Sequence, residues 1–437
     1  MRALVSALTT RGRAFVSAGV TALLCALAVG LDDLVRVGVL LLSLPLVSAA
    51  LTTRGRHQLG LSRTVTPPRI EVGQAAQVRL ALSNEGRTPT GLLLLEEEVP
   101  ASLGARPRFV VDRMGSRWHR TVTYDVTSEL RGRYQLGPVR VRVDDPMGLV
   151  RLDRAFHSTT NLVVTPQVVT LPPIPLVGAT SGSGDNRPRD FVGGSPEDVT
   201  VREYRHGDDL RRVHWRSSAH AGDLMVRREE QPWQARATLF LDNRTPAHRG
   251  SGPQSSLEYA VSAAASVAVH LTRRGFHVRL VTAAGSTDAQ LHEHGAVSAD
   301  AGALLESLAV LQPATRVDID TSWIGEAAQG GLFVAILGET FPRDRVALTR
   351  MRHGVGTPLA ISLDVPTWAD RRREAAAPAA TSGAPAPSVV LLTSLGWRAV
   401  SATPEDSVAT AWQRLGLTVR RGRDVGAEPL TASGARP

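Results

Sequence analysis

The sequence predicts a multidomain α+β protein: an N-terminal transmembrane helical hairpin, a β-sandwich, and a C-terminal α/β domain. Three observations carry this. Two apolar runs, Phe15 to Leu31 and Leu34 to Leu51, follow one another near the N-terminus. Between about residues 62 and 171, short runs alternate apolar and polar residues with a period of two. From Ala237 onward, strand-like and helix-like patterns take turns. The implied division is a two-helix membrane anchor over 1–58, a sandwich over 62–171 and a linker over 172–189. A charged segment over 190–233 follows, then the α/β domain over 234–423 and a disordered tail over 424–437.

Each apolar run is near the lower length limit of a membrane helix, about 17 residues. Asp32 and Asp33 leave room for only a tight turn between them. Arg2, Arg11 and Arg13 precede the first run, and Arg54, Arg56 and Arg63 follow the second. The positive-inside rule then places both chain ends in the cytoplasm of a two-helix protein of the cell membrane. Arg36 falls near the outer end of the second run, where its stem can snorkel to the interface. A cleaved secretory signal ending at Ser48, Ala49 and Ala50 is the competing reading.

The sandwich expectation rests on runs such as Gln77 to Leu82, Thr121 to Val126 and Val139 to Val143, separated by turn residues such as Asn84 to Gly86. Several short strands at this spacing suggest the immunoglobulin-like type. Arg131, Gly132 and Tyr134, with Gly137–Pro138 and Asp145–Pro146, read as strand ends and turns. Pro172 to Arg189 is rich in Pro, Gly and Ser and reads as an extended surface linker.

In the α/β part, Ala237 to Leu241 is a buried strand ending at Asp242. Ser255 and Glu258 form a capping box for a helix closed by Gly275. Phe276 to Thr282, Gly331 to Leu337 and Thr357 to Val365 are further strands, and Ser298 caps a helix to about Leu311. Val389 to Leu392 reads as the last strand, and Thr403 as the cap of a final helix with Pro404 at its first position. Such βα alternation gives a parallel, Rossmann-like sheet covered by helices on both faces. Arg371 to Pro387 is a flexible insertion.

Composition narrows the function. Hydrophobic residues make up 43% and charged residues 21%, ordinary for a folded chain. Aromatic residues are only 4%, so aliphatic side chains are expected to build the cores. The formal charge of 50 − 41 = +9 is carried by arginines spread along the whole chain. Cys25 is the single cysteine, which excludes an internal disulfide and a cysteine zinc site.

The densest charge lies in Val201 to Glu230. Here Asp208 is read as an N-cap, Leu210 and Val213 as the buried face of a short helix ended by Ala221–Gly222, and Leu224 to Arg228 as a strand. The expected role is a docking and structural element of arginine–carboxylate pairs. Its residues are Arg202, Glu203, Tyr204, Gly207, Asp208, Arg211, Trp215 and Arg216, with Trp215 as a buried anchor. Two alternatives stand beside it. His206, Asp208, His214 and Ser217 are residue types of acid–base and nucleophilic catalysis. Arg211, Arg212 and Arg216 around Trp215 resemble a nucleic-acid platform, although intermixed acids oppose phosphate there. No nucleophile elbow, HExxH or P-loop motif occurs. His292 and His294 read as solvated loop residues.

Glu203, Tyr204, Gly207, Asp208, Arg211, Trp215 and Ala219 resemble the signature of the bacterial family called domain of unknown function 58. His206 and His214 depart from its usual residues. The resemblance extends to two N-terminal membrane helices and to a β-rich domain carrying Arg131, Gly132, Tyr134 and Gly137–Pro138. The resemblance implies architecture more than activity, with a MoxR-type AAA+ ATPase and a transglutaminase-like membrane protein as partners; the residues themselves lead to the expectation of a non-enzymatic, membrane-bound binding or assembly protein. The C-terminal part is similar to a von Willebrand factor A fold, whose first strand ends in Asp-x-Ser-x-Ser and holds Mg²⁺ through oxygen. Here Asp242, Arg244 and Pro246 stand at those positions. The motif is degenerate, no metal or other cofactor is expected, and Asp242 is expected to cap the strand end or pair with Arg244.

Overall fold

The computed structural model describes residues 7–55, 59–86, 92–112, 114–145, 147–175, 201–204, 213–227, 236–283, 285–286, 301–324, 331–354, 358–370 and 386–424. The expectations for Gly207, Asp208, Leu210, Arg211, His292, His294, Ser298, residues 371–385 and the tail from 425 lie outside them. The chain divides into two compact units, Met1–Val168 with Leu305–Gln312, and Val169–Leu304 with Pro313–Pro437.

The first unit begins with helix α1 (Thr10–Val29) and helix α2 (Asp32–Gly55). Both are long and apolar enough to cross a membrane. Thr9 caps α1 by accepting from the Gly12 amide, and Gly30 ends it in the left-handed region at φ 75°. The turn therefore falls at Gly30–Leu31. Asp32 and Asp33 open α2 instead, where carboxylates favour the positive end of the helix dipole. Arg36 pairs with Asp33 at 3.0 Å, both exposed. Gly19 and Gly38 face each other: a Cβ on either would come within 3.2 Å of the other's carbonyl oxygen. Small residues permit such close helix packing in lipid.

Strands β1 (Leu59–Thr66), β3 (Ala75–Asn84) and β6 (Trp118–Thr127) form one antiparallel layer. Facing it are two sheets. One holds β5 (Arg108–Val111), β4 (Leu93–Glu97), β8 (Val139–Asp144) and β9 (Arg151–Phe156). The other holds β2 (Arg69–Glu71), β10 (Thr160–Thr165) and β7 (Gly132–Leu136). The period-two pattern is realised directly: Ala76, Val78, Leu80 and Leu82 alternate inward along β3. Leu80 and Leu82 pack with Leu93, Leu95 and Val141; Ala76 and Val78 pack with Ile70, Leu162 and Val164. The Tyr134 hydroxyl donates to the Leu130 carbonyl at 2.8 Å, the corner contact characteristic of immunoglobulin-type sandwiches. Within this unit Arg131 also caps a helix end. Its Nε and Nη2 donate to the carbonyls of Leu308 (2.9 Å) and Leu311 (2.8 Å), at the end of helix α5 (Ala301–Val310). The turn reading of Arg131 is incomplete for that reason.

The sandwich meets the hairpin through the turn at Asp145–Val150. Thr9 donates to the Gly148 carbonyl at 2.6 Å, Ser48 donates to the buried Asp145 carboxylate, and the Asp145 carboxylate also accepts from the Leu149 amide at 2.7 Å. Leu149, Val150 and Ala49 form a small apolar cluster with Leu8, Phe15 and Leu44.

The second unit is built on a six-stranded sheet in the order β15–β14–β13–β16–β17–β18. Its strands are β13 (Arg236–Leu241), β14 (His277–Thr282), β15 (Gly285–Ser286), β16 (Leu332–Leu337), β17 (Leu359–Leu363) and β18 (Arg398–Ala402). All pairings are parallel except β14 with β15. Numbered within the domain this is the doubly wound order 3-2-1-4-5-6, which reverses between β13 and β16. β16 and β17 are buried along their whole length, as strands covered on both sides must be. Helices α4 (Ser256–Arg273) and α9 (Val408–Asp424) cover one face. On the other face Leu348 and Met351 of α6 (Arg345–Gly354) and Leu392 of α8 (Pro387–Ser394) join the core. That core also carries a run of aromatic contacts, Phe240–Trp323, Trp323–Phe333 and Phe333–Trp397, at 6.0, 5.8 and 5.7 Å. Aliphatic side chains still make up most of this core, with Phe240, Trp323, Phe333 and Trp397 set among them.

Two further corrections concern the C-terminal part. Val389 to Leu392 lies in helix α8, and the last strand is Arg398–Ala402. The final helix starts at Val408 rather than after Thr403; Thr403 is tied to Asp406 in a turn, and the Ser407 hydroxyl accepts from the Thr410 amide at 3.1 Å. The linker expectation also changes at its start. Ile174 is buried against Gly416, and the Trp412 indole donates to the Pro172 carbonyl at 3.0 Å.

Candidate functional site

A doubly wound sheet offers a ligand crevice outside the carboxyl ends of its strands, where the strand order reverses. Here that point lies between the loops following β13 and β16. β13 ends in Asp242–Asn243–Arg244, and β16 leads through Gly338 into Phe341–Asp344. Asp242, Arg244 and Asp344 are wholly buried together. Arg244 Nε donates to Asp242 Oδ1 at 2.9 Å, and Nη2 donates to Asp242 Oδ2 at 2.9 Å. On the other side Nη1 donates to Asp344 Oδ1 at 2.8 Å, and Nη2 to Asp344 Oδ2 at 3.0 Å. The remaining Nη1 hydrogen reaches the Val317 carbonyl at 2.8 Å. A guanidinium has five N–H donors, and each has its own acceptor here. Backbone amides complete the carboxylates: Arg244 N donates to Asp242 Oδ1 at 3.1 Å, and Phe341 N to Asp344 Oδ2 at 2.9 Å.

Burial by itself would pull the Arg244 pKa down. Hydrogen bonds to Asp242 and Asp344 and the charge of both carboxylates outweigh it, so the guanidinium is held above its ordinary value. Arg244 is therefore a permanent cation between two forks. The loops around it touch backbone to backbone. Glu339 N donates to the Ala247 carbonyl at 2.8 Å, and a Cβ on Gly338 would lie 2.2 Å from that same oxygen. His248 Nε2 meets the Asp242 carbonyl at 2.6 Å, and its Nδ1 faces the Ser256 hydroxyl at 3.0 Å. Burial lowers the His248 pKa, which keeps the ring neutral. At the rim, Arg249 pairs with Glu339 at 3.5 Å and Arg343 lies over the Phe341 ring at 4.4 Å.

The residues do not fit a divalent ion. Mg²⁺ needs near-octahedral oxygen ligation. All four carboxylate oxygens of Asp242 and Asp344 instead accept from N–H donors, and Arg244 fills the space between them. Among the described residues, no group of three or more His, Cys, Asp or Glu side chains is placed to hold a metal. The expected Asp242–Arg244 pairing is present. Asp344, one hundred residues further along the chain, is the partner that sequence reasoning missed. Its signal was weak: an acid at the head of a helix after a buried strand normally reads as a cap, and Asp344 does also cap by accepting from the Phe341 amide.

The charged segment forms a small separate motif. β11 (Val201–Glu203) pairs antiparallel with β12 (Met225–Arg227), and helix α3 (Trp215–Ala221) lies between them in sequence. The Tyr204 amide donates to the Leu224 carbonyl at 2.7 Å. Helix α3 has its cap at His214, six residues after the expected cap at Asp208. His214 caps it: His214 Nδ1 accepts from the Ser217 amide at 3.3 Å and lies 2.8 Å from the Ser217 hydroxyl. Gly222 ends it at φ 80°, as expected. Ser218 fastens the helix to β12, accepting from the Met225 amide at 2.8 Å.

Trp215 is 71% exposed, so the expectation that it is a buried anchor is wrong. Because the helix begins at Trp215, that side chain sits on the first turn facing outward. The buried position is taken by Val213, which bridges to Val226. Arg216 is exposed beside Trp215. Arg202 and Glu203 fall on β11, while Gly207, Asp208 and Arg211 lie outside the described residues. Pro246 sits in a short 3₁₀ turn rather than at a ligand position.

The molecule thus joins an apolar helical hairpin and a β-sandwich to a doubly wound α/β domain whose carboxyl edge is filled from within by Arg244. Residues 200–330 match the family model described as Protein of unknown function DUF58. No curated protein matches the chain. Among solved structures, the CARDB domain of a Pyrococcus furiosus protein is 18% identical. It covers 24% of this chain and 91% of its own, at a TM-score of 0.19. A cohesin module from a Clostridium perfringens glycoside hydrolase is 12% identical, covering 24% of this chain and 96% of its own at a TM-score of 0.20.

Proposed function

We propose that this protein is a membrane-anchored, non-enzymatic docking and assembly protein, held in the cell membrane by α1 and α2 with both chain ends in the cytoplasm. One observation carries the non-enzymatic reading. The place where a doubly wound α/β enzyme holds its ligand is filled here by the protein's own Arg244, with every guanidinium donor satisfied. The α/β domain is read as a von Willebrand factor A-like fold, supported by its strand order and by the acid that ends its first strand. The docking surface is the charged segment, with Arg202, Glu203, Tyr204, Gly207, Asp208, Arg211, Trp215 and Arg216; the exposure of Trp215 beside Arg216 supports this. A MoxR-type AAA+ ATPase and a transglutaminase-like membrane protein are the proposed partners, on the family resemblance of the signature.

Co-purification from native membranes, with and without Trp215→Ala and Arg216→Ala, tests the reading. Loss of partner capture with an unchanged unfolding midpoint is the expected result; an unaltered partner set counts against it. The 2.8 Å contact between His214 Nδ1 and the Ser217 hydroxyl is the observation that favours a hydrolytic alternative. The same Nδ1 accepts from the Ser217 amide and caps a helix, so the ring has a structural role already. Turnover of ester or amide substrates that disappears in Ser217→Ala would favour the enzyme.

A further inference from the structure

We propose that Arg244 is the resident cation of the α/β domain: its guanidinium takes the place of a divalent ion at the carboxyl edge, so that this edge is set without metal. The comparison with a metal site rests on the fold reading given above; the occupancy of both carboxylates by Arg244 does not.

The balance of charge and donors is what makes the substitution work. Asp242 and Asp344 bring two negative charges into a wholly buried space. Two such carboxylates cannot both stay ionised without a cation between them. A divalent ion meets that need with charge and with a demand for oxygen ligands. Arg244 meets it with one charge and five directed N–H donors, four to the carboxylates and one to the Val317 carbonyl. The Arg244 and Phe341 amides add partial positive charge to the same oxygens. The cation is covalently part of the chain, so no change in free Mg²⁺ or Mn²⁺ can empty or fill the site. It also links two loops: Asp242 follows β13, and Asp344 precedes α6 across the point where strand order reverses. Metal-dependent control of this edge is therefore replaced by a permanent lock.

The test uses the full chain in detergent micelles, with MnCl₂, MgCl₂ and EDTA as probes. The wild-type unfolding midpoint is expected to be indifferent to all three. Arg244→Ser replaces the guanidinium by a hydroxyl oxygen. Its midpoint should fall by on the order of 10 °C and rise again with Mn²⁺ in a saturable way. The double variant Arg244→Ser with Asp344→Asn should not respond. Arg244→Met keeps the volume without the charge or the donors; its midpoint should also fall well below the wild type, and Mn²⁺ should not restore it.

Saturable Mn²⁺ or Mg²⁺ binding to the wild type that is lost in Asp242→Asn would overturn the proposal. So would an Arg244→Ser variant that folds and ignores divalent ions, or an Arg244→Met variant as stable as the wild type at pH 8. If Arg244→Ser does not fold, the wild-type metal titration and the Arg244→Met midpoint decide alone. None of these outcomes depends on partner capture, so a failure here and a failure of the docking reading are distinguishable.

Discussion

A buried ion pair is held by what completes it, and the sandwich contains a second example besides Arg244. Arg63 and Glu97 are both buried, with Nε to Oε1 at 2.6 Å. The Tyr124 hydroxyl donates to the other Glu97 oxygen at 2.5 Å, and Arg63 Nη1 reaches the Ser158 carbonyl at 2.8 Å. Burial and then the neighbouring Glu97 push the Tyr124 pKa up, so the phenol stays a donor. Glu97→Ala strands the arginine and the phenol together. We expect a loss of about 3–5 kcal/mol in urea unfolding, and a loss below about 1 kcal/mol would show that the cluster is not structural. His248 gives a pH prediction. Burial lowers its folded-state pKa below the unfolded value of about 6.5. The unfolded chain then binds the extra proton, so the contribution is fully present above pH 6.5 and is lost as pH falls toward the folded value. His270 is shifted the same way by burial and adds to the slope. The urea midpoint should drop between pH 7.5 and 5, and His248→Gln should flatten part of that drop; an unchanged slope in the variant would remove His248 from the account.

Elements show where pattern and packing part company. Alternation along β3 and β6 was legible because each strand buries one face, which is what period two encodes. The stretch Pro387–Ser394 was misread because a short apolar run looks alike as a buried strand and as a buried helix. Pro387 at the first helical position was the available signal. Arg398–Ala402 was missed as a strand because it is short and small-residue rich, and its place comes from pairing with β17. At the carboxyl edge, the Asp242–Arg244 contact spans two residues and was legible, whereas Asp344 is brought in only by tertiary closure. The foot of the hairpin was equally hidden, since a turn motif does not reveal what it touches. A Cβ on Gly12 would lie 2.2 Å from the Leu149 carbonyl oxygen, so this glycine is what lets α1 seat on the sandwich turn. Gly12→Val should unseat it and speed tryptic cleavage after Arg151; cleavage at the wild-type rate would mean that the contact does not hold the turn.

At the scale of the whole molecule, a hairpin inserted in the membrane as proposed would decide which compartment the rest of the chain occupies. The sandwich turn contacts Thr9 and Gly12 at the start of α1 and Ser48 and Ala49 late in α2, so it sits at the end of the hairpin that holds the start of α1 and the later turns of α2. In the sequence, Arg11 and Arg13 precede the first apolar run and Arg54 and Arg56 follow the second. The opposite end carries Asp32 and Asp33. Charge asymmetry of this kind orients a hairpin with its arginines in the cytoplasm. The rival signal-peptide reading needs Ser48–Ala50 to be an accessible cleavage site. Instead α2 continues unbroken through these residues, and Ser48 is buried with its hydroxyl on Asp145. We therefore expect the chain to stay uncleaved, with the residues beyond α2 protected from added protease in intact cells and digested in inverted membrane vesicles. Digestion in intact cells with protection in inverted vesicles would reverse the topology. An N-terminus starting near Leu51 in the mature protein would replace the anchor by a signal.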